Sequence, residues 1–157
     1  DKESLQCCKR ACDLTDKAII RFAALAYDLE DEVWHDLKKA YPISNQYIKL
    51  TDLIRRWFSK YTKLVDSGSQ KILNFIKGVD AIRRPERLVD FLMLCEAIDR
   101  QLPHQQIIHH LRCALGAVAG VDVKALVSKG FSATELADAI EQEQLLAIEK
   151  ICQVGPG

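Results

Sequence analysis

Hydrophobic residues recur along this chain at steps of three and four positions, the spacing that places side chains on one face of an α-helix. The clearest example predicts a helix from about residue 45 to residue 65. Its apolar face consists of Tyr47, Leu50, Ile54, Trp57, Tyr61 and Leu64. No run alternates apolar and polar residues in the way that predicts a β-strand. The pattern therefore predicts an all-α protein.

The same spacing, together with proline, glycine and capping residues, predicts seven further helices. The last of them begins at Ser132, because Ser132 and Glu135 form the capping-box pattern. The predicted ranges are 15–29, 30–40, 70–78, 86–101, 103–118, 122–128 and 132–152. We expect an irregular array of helices without a sheet, in one or two compact units.

Composition adds an expected size of the hydrophobic core and an expected cellular compartment. A chain of 157 residues with 48% hydrophobic residues can form one sizeable core or two small ones in contact. No apolar run approaches the roughly 20 residues that span a bilayer, and the N-terminal segment lacks the apolar stretch of a signal peptide. The expectation is a soluble, cytoplasmic protein without a membrane partner. We expect its six cysteines to be reduced, because three crowd one helical segment near the N-terminus and the other three stand singly among apolar neighbours, where free thiols usually pack. None of them has the CxxC spacing of zinc sites.

The charge of the chain is unevenly distributed. The formal net charge is zero, yet residues 38–87 contain twelve Lys or Arg and only four Asp or Glu. Within this segment the candidate phosphate-binding residues are Lys49, Arg55, Arg56, Lys60, Lys63, Arg83, Arg84 and Arg87. A solvated helix face explains the same pattern equally well from sequence alone. Trp57 and Tyr61 belong to the apolar face, so we expect core positions rather than stacking on bases.

The histidines do not form a metal-site pattern. His109 and His110 are neighbours and point about 100° apart on a helix, and no carboxylate stands one turn away from them. His35 next to Asp36 has no third partner. We therefore predict no metal ligand in this chain.

A family resemblance starts with the segment from Arg21 to Leu29, which reads RFAALAYDL. This segment resembles the RFAALxHDLGK signature of the HD domain found in many bacterial CCA-adding enzymes. The HD pair holds a divalent metal that activates water, and Tyr27 replaces its histidine here. A tyrosine ring does not offer the imidazole lone pair that the metal needs in this place.

Two further segments resemble the same family. Residues 80–88 and 95–100 are similar to its basic-Pro-x-Arg turn and the helix that follows, but Ile98 stands where an acidic metal ligand is expected. Asp99 is one position later, so on a helix it would point elsewhere. The His-rich insertion that follows the HD pair is also absent. The resemblance therefore implies a degenerate HD-like body over residues 1–88 with no catalytic residue.

The last third of the chain is similar to the tail of class II CCA-adding enzymes. There a short helix, a Gly-Phe turn and a long helix come in this order, as they do from Val123 through Gly130 and Phe131 to Glu135. Positions 142–144, often arginine-rich in that family, are Gln-Glu-Gln in this chain. The resemblance implies a helical tail over residues 89–157, and it implies that the body and this tail hold the acceptor stem and elbow of tRNA.

The leading hypothesis is thus the tRNA-binding C-terminal portion of a tRNA nucleotidyltransferase. Catalysis would belong to an N-terminal head of the same polypeptide, which uses Mg and ATP or CTP, and this chain would need no cofactor. Two alternatives remain open at this point. One is a non-catalytic protein-interaction domain derived from an HD scaffold, and the other is a metal-dependent HD phosphohydrolase.

Overall fold

The structure, a computed structural model, describes residues 2–153, with side chains to residue 152. Within that range it contains nine α-helices, one 3-10 helix and no strand, which confirms the all-α prediction. The 3-10 helix is Leu64–Asp66. The α-helices are α1 (Lys2–Leu14), α2 (Ala18–Ala26), α3 (Asp31–Ala40), α4 (Asn45–Tyr61), α5 (Ser69–Gly78), α6 (Pro85–Ile98), α7 (His104–Ala119), α8 (Val123–Val127) and α9 (Ala133–Gln153).

Helix α4 shows the predicted apolar face. Leu50, Ile54 and Tyr61 are buried, and Trp57 is half-buried. The helix ends at Tyr61 rather than near residue 65, and Leu64 reaches the core from the 3-10 helix instead. The face was therefore predicted correctly, and the end of the helix was placed four residues too late.

Two other predicted helix ends are corrected by local hydrogen bonds. The N–H of Lys17 donates to Oγ1 of Thr15 (3.2 Å), so residues 15–17 form a turn and α2 begins only at Ala18. Helix α6 ends at Ile98 rather than residue 101, because Asp99 has extended backbone angles (φ −134°, ψ 105°). Both corrections shorten a predicted helix.

The helices pack around one continuous core. Helices α1, α2, α4 and α6 pack against one another, and α5, α7 and α9 form the adjoining group, with α8 against α9. Buried side chains from Cys7 to Ile148 belong to a single cluster. The boundary that we drew between residues 88 and 89 lies inside α6. The division into two parts stays a prediction, and the two predicted parts share one core.

A group of buried rings joins the two groups of helices. The ring centroids of Tyr61, Phe75 and Phe91, from α4, α5 and α6, are 5.6–6.2 Å apart. The hydroxyl of Tyr61 lies 2.8 Å from Nδ1 of His104 at the start of α7. Nε2 of His104 contacts the carbonyl oxygen of Asp99, which can only accept, so Nε2 carries the hydrogen and Nδ1 accepts from Tyr61.

No helix among residues 2–153 combines the length and the apolar character that crossing a membrane requires.

Candidate nucleic-acid interface

Seven of the eight predicted phosphate-binding residues line two neighbouring clefts beside α4. The first, which we call the arginine cleft, lies between α4 and the segment that joins α5 to α6. Its floor is formed by Leu53, Trp57 and Gly78. Five basic residues and two carboxylates line it, namely Lys49, Arg56, Arg83, Arg84 and Arg87 with Asp52 and Asp80. The structure thus brings together basic residues that are up to 38 positions apart in sequence.

The second cleft, the lysine cleft, lies between the C-terminal part of α4, the 3-10 helix and α5. Its apolar floor consists of Trp57, Leu64 and Phe75, and its other lining residues are Lys60, Lys63, Ser67, Lys71, Asn74 and Lys77. No carboxylate is among these lining residues. The lysine cleft therefore combines an apolar floor with walls that carry four lysines.

Trp57 separates the two clefts and lines both of them. Its indole is edge-to-face with Phe75 at a centroid distance of 5.8 Å, and Nζ of Lys60 lies 4.1 Å from its ring centroid. This is a cation–π contact, which holds the ammonium beside the ring. The prediction that Trp57 belongs to the core is only half right, since the side chain is half-buried between the clefts.

Asp80 is surrounded by the three arginines of the α5–α6 junction. Its carboxylate lies 2.8 Å from Nε of Arg83, 3.8 Å from Nε of Arg84 and 3.8 Å from Nη1 of Arg87. The hydrogen bond from Arg83, with the positive charges of the three arginines, holds the pKa of Asp80 below its ordinary value. The carboxylate is therefore ionised at neutral pH and leaves the cluster with a net positive charge.

Arg55, the eighth predicted residue, has other partners. Its Nη1 donates to the carbonyl oxygens of Tyr27 (3.0 Å) and Leu29 (2.5 Å), and its Nη2 is 2.5 Å from Asp31. These carbonyls follow the C-terminal end of α2, where a positive charge is stabilised by the helix dipole. Arg55 lines neither cleft, so we omit it from the proposed interface.

The sequence analysis missed Lys71 and Lys77, which line the lysine cleft. A usable signal was present, because Lys71, Asn74 and Lys77 recur at three-residue steps on the short helix α5. Lys77 is paired with Glu141 of α9 at 2.8 Å, and this contact lowers the pKa of Glu141. The pair connects the wall of the cleft to the long C-terminal helix.

The positions that correspond to metal ligands in the resemblance also lie together. Tyr27 and Ile98 line one depression with Arg10, whose Nη1 donates to the carbonyl oxygen of Ile98 at 2.9 Å. Burial, and then the contact with Cys7, raises the pKa of Tyr27 above its ordinary value. The carboxylates of Glu3 and Asp99 line this depression together with the guanidinium groups of Arg10 and Arg100. The two positions that correspond to metal ligands carry a phenol and an aliphatic side chain, and neither group suits a divalent cation.

Asp99 corrects one of our expectations. We predicted that it points away from this region, but it lines the same depression as Ile98. The expectation assumed a helical rotation, and the helix has already ended at Ile98. The Asp99 carboxylate accepts the N–H of Gln101 at 2.9 Å, so it is engaged in a local turn.

Metal and thiol candidates elsewhere give no site. Among residues 2–153, no three His, Cys, Asp or Glu side chains lie close enough together to hold a metal ion. All six cysteines are free; Cys7 and Cys95 are buried, and Cys12 and Cys152 are exposed. Burial, with the neighbouring Cys12 thiol, raises the pKa of Cys8, so this thiol lacks the lowered pKa of a reactive cysteine.

Known proteins with similar sequences are bacterial CCA-adding enzymes and multifunctional CCA proteins. The CCA-adding enzyme of Coxiella burnetii is 33% identical over 139 residues, which cover 88% of this chain and 36% of that enzyme. The multifunctional CCA protein of Thioalkalivibrio sulfidiphilus is 27% identical over 90% of this chain and 41% of that protein. The CCA-adding enzyme of Pseudomonas putida is 38% identical over 80 residues, half of this chain.

The chain therefore belongs, as one region, to the family of bacterial CCA-adding enzymes, and the matches agree with the C-terminal region of such an enzyme. It spans between 36% and 41% of the length of the Coxiella and Thioalkalivibrio relatives. No protein-family model matches the chain, and no solved structure does.

Proposed function

We propose that this chain is the tRNA-binding portion of a CCA-adding tRNA nucleotidyltransferase. In this proposal the two clefts contact the backbone of the acceptor stem and elbow of tRNA. An N-terminal head of the same polypeptide, with Mg and ATP or CTP, adds nucleotides to the 3' end in the cytoplasm. The names of the relatives support the enzyme family.

One observation carries the RNA-binding part of the proposal. A chain with zero net charge places Lys49, Arg56, Lys60, Lys63, Arg83, Arg84 and Arg87 around two clefts that share Trp57. Positive side chains gathered in this way neutralise phosphates and release condensed counterions. Contacts with the backbone recognise the shape of an RNA helix rather than its sequence, which suits a protein that must accept many tRNAs.

The test is binding of the 157-residue chain to an RNA minihelix, made of an acceptor stem stacked on a T arm. We expect the logarithm of the affinity to fall linearly with the logarithm of salt concentration, by about 0.7–0.9 for each phosphate contacted. Arg56→Glu and Lys60→Glu should each weaken binding about tenfold at about 0.1 M salt, for minihelices of different sequence alike.

Lys9→Glu is the matched control, because Lys9 is an exposed lysine of α1 that lines neither cleft. We expect it to leave the affinity nearly unchanged. Circular dichroism of every variant checks that the helices are intact. Equal losses from Lys9→Glu and Arg56→Glu would mean that only net charge matters, and an unmodified chain that ignores the minihelix would favour a protein-interaction domain.

The same preparation tests the phosphohydrolase alternative. We expect no hydrolysis of 2',3'-cyclic phosphates with added nickel or magnesium, because Tyr27 and Ile98 replace metal ligands and Arg10 lies beside them. Turnover that a chelator abolishes would contradict our interpretation of these positions.

A further inference from the structure

The backbone at Asp80 is unusual. Its φ is 57°, and among residues 2–153 it is the one residue other than glycine with a positive φ. Asp and Asn tolerate this left-handed conformation better than other side chains with a Cβ do. The segment around Asp80 is held by hydrogen bonds from the N–H of Ala81 to the carbonyl of Ile76 (3.0 Å) and from the N–H of Arg84 to the carbonyl of Asp80 (2.9 Å). Asp80 is thus fixed at the turn between α5 and α6.

The carboxylate and the guanidinium groups around it differ in exposure. The side chain of Asp80 is 20% exposed, whereas those of Arg83 and Arg84 are 81% and 54% exposed. The carboxylate therefore lies on the inner side of the cluster beside Arg87, whose side chain is 28% exposed, and Arg83 and Arg84 extend from it toward solvent. An incoming anion meets the arginines first.

The identity of the contacting atoms shows which donors remain available. The atom of Arg83 closest to the carboxylate is Nε, and the same is true of Arg84. A guanidinium has five N–H donors in a fixed plane, and four of them are on the terminal Nη atoms. Asp80 therefore accepts a hydrogen bond from the inner edge of Arg83 and forms a longer ion pair with the inner edge of Arg84, so the terminal donors of these two groups remain for another anion. Arg87 differs, because its terminal Nη1 is the atom that lies 3.8 Å from the carboxylate.

We propose that Asp80 is a positioning residue that holds Arg83, Arg84 and Arg87 as one preformed receptor for a phosphodiester group of RNA. Lys49 and Arg56 lie on the α4 side of the same cleft and complete the positive surroundings. This inference rests on the proposed function of the clefts. It adds that a negative residue strengthens the binding of a negative ligand.

The physical reason is that three neighbouring arginines repel one another and are flexible. Without Asp80, their side chains would separate and would lose more conformational freedom when they bind a phosphate. A carboxylate at their centre offsets the repulsion and orders the guanidinium planes before the ligand arrives. Simple addition of charges predicts the opposite, because it treats Asp80 only as a repulsive neighbour of the phosphate.

The test is the Asp80→Asn substitution, with affinity for the RNA minihelix as the readout. Asn tolerates the left-handed backbone, so the substitution removes the charge and keeps the turn. We expect affinity to fall about three- to tenfold, although the protein becomes more positive. Unchanged or tighter binding by Asp80→Asn, with the unmodified chain binding normally, would overturn the inference and leave the proposed function intact.

Asp66→Asn is the matched control. Asp66 is an exposed residue of the 3-10 helix and makes no ion pair with any other residue in the part of the chain that the structure describes. Its substitution changes the net charge by the same amount. We expect affinity to stay equal or to rise by at most about twofold. A loss equal to that of Asp80→Asn would overturn the inference.

A double-mutant cycle separates positioning from a general structural effect. If Asp80 acts through Arg83, then Asp80→Asn should change affinity less in an Arg83→Gln background than in the unmodified chain. Equal losses in both backgrounds would show that Asp80 does not act through Arg83. Because Arg84 and Arg87 remain, we expect the second loss to be reduced rather than abolished.

A measurement on the unmodified chain keeps the inference testable if a variant does not fold. In an NMR spectrum, the Nε–H signal of Arg83 should keep its position and its protection from exchange when the minihelix is added, since Asp80 holds this atom in both states. The terminal N–H signals should shift. Loss of Nε–H protection on RNA binding would mean that phosphate displaces Asp80, and it would overturn the inference. Failure of the unmodified chain to bind any RNA would instead overturn the proposed function and the inference with it.

Discussion

The indole ring of Trp57 lies directly on the backbone of Gly78. A methyl group built on Gly78 would be 1.9 Å from Cζ2 and 2.1 Å from Cη2 of the ring. Trp57 cannot retreat freely, because its other contacts include Phe75. The absence of a side chain at position 78 therefore determines the position of the Trp57 ring, which lines both clefts.

Gly78→Ala should destabilise the protein. The added methyl forces the indole to move, and overpacking of this kind costs about 1–3 kcal/mol. Urea unfolding measures the loss, and a change in tryptophan fluorescence of the folded state should accompany it. Gly116→Ala is the control, because Gly116 lies within α7 and a Cβ there meets nothing within 4 Å. It should stabilise the protein by about 0.5–1 kcal/mol. The same sign for both variants would contradict the contact with Trp57.

Arg55 and Arg56 are neighbours with different expected roles. Arg55→Gln should lower the free energy of unfolding by about 2 kcal/mol, because the carbonyls that follow α2 lose a charged donor. Arg56 is exposed in the arginine cleft, so Arg56→Gln should change stability by less than about 0.5 kcal/mol and should weaken minihelix binding. Urea unfolding and RNA titration of both variants check this. An interchange of the two phenotypes would refute the assignment.

Tyr61 should make the stability of the protein depend on pH in the alkaline range. Burial raises the pKa of Tyr61 above its ordinary value of 10.0, with smaller contributions from Cys95 and Glu96. The folded state therefore resists the loss of this proton, and the stabilisation is fully present below pH 10.0 and is lost as pH rises above it. The free energy of unfolding should thus fall as the pH rises above about 10, and in the Tyr61→Phe variant it should fall less.

Tyr61→Phe should also lower the free energy of unfolding at neutral pH. Tyr61→Phe leaves Nδ1 of His104 without its donor in a buried place, which costs about 1–3 kcal/mol. Tyr41→Phe is the control, because Tyr41 is exposed. Equal stability of Tyr61→Phe and the unmodified chain at pH 7 would argue against this hydrogen bond.

The capping box at the start of α9 provides a further prediction. Oγ of Ser132 accepts the N–H of Glu135 (3.3 Å), and the carboxylate of Glu135 accepts the N–H of Ser132 (2.9 Å). Ser132→Ala removes one of these bonds and should cost about 1 kcal/mol. Thr134→Ala, two positions along the exposed first turn, should have a much smaller effect. Thermal unfolding of the two variants side by side checks the difference.

Local signals explain which features were predictable from the sequence. The capping box placed the start of α9 correctly, because both partners are three residues apart. The apolar face of α4 likewise needed only the spacing along one helix. The clustering of Lys49 and Arg56 with Arg83 and Arg84 was expected from charge and resemblance, and the fold shows them around one cleft.

The features that the sequence did not predict concern tertiary contacts and the exact ends of helices. The role of Arg55 depends on α4 crossing the end of α2, and no local pattern contains that information. The position of Asp99 depends on the exact end of α6, which the polar contact with His104 and the turn to Gln101 decide. The partial exposure of Trp57 depends on how α5 closes against α4. Sequence periodicity identifies faces, and tertiary packing decides what each face touches.

The Tyr61, Phe75 and Phe91 ring cluster has a consequence for dissection of the protein. A cut at residue 88 would separate Phe91 from its two partners and would remove most of α6 from α1, α2 and α4. Neither fragment would keep a complete hydrophobic core, and both would expose apolar side chains to water. The described chain should thus melt in one cooperative transition rather than in two independent steps.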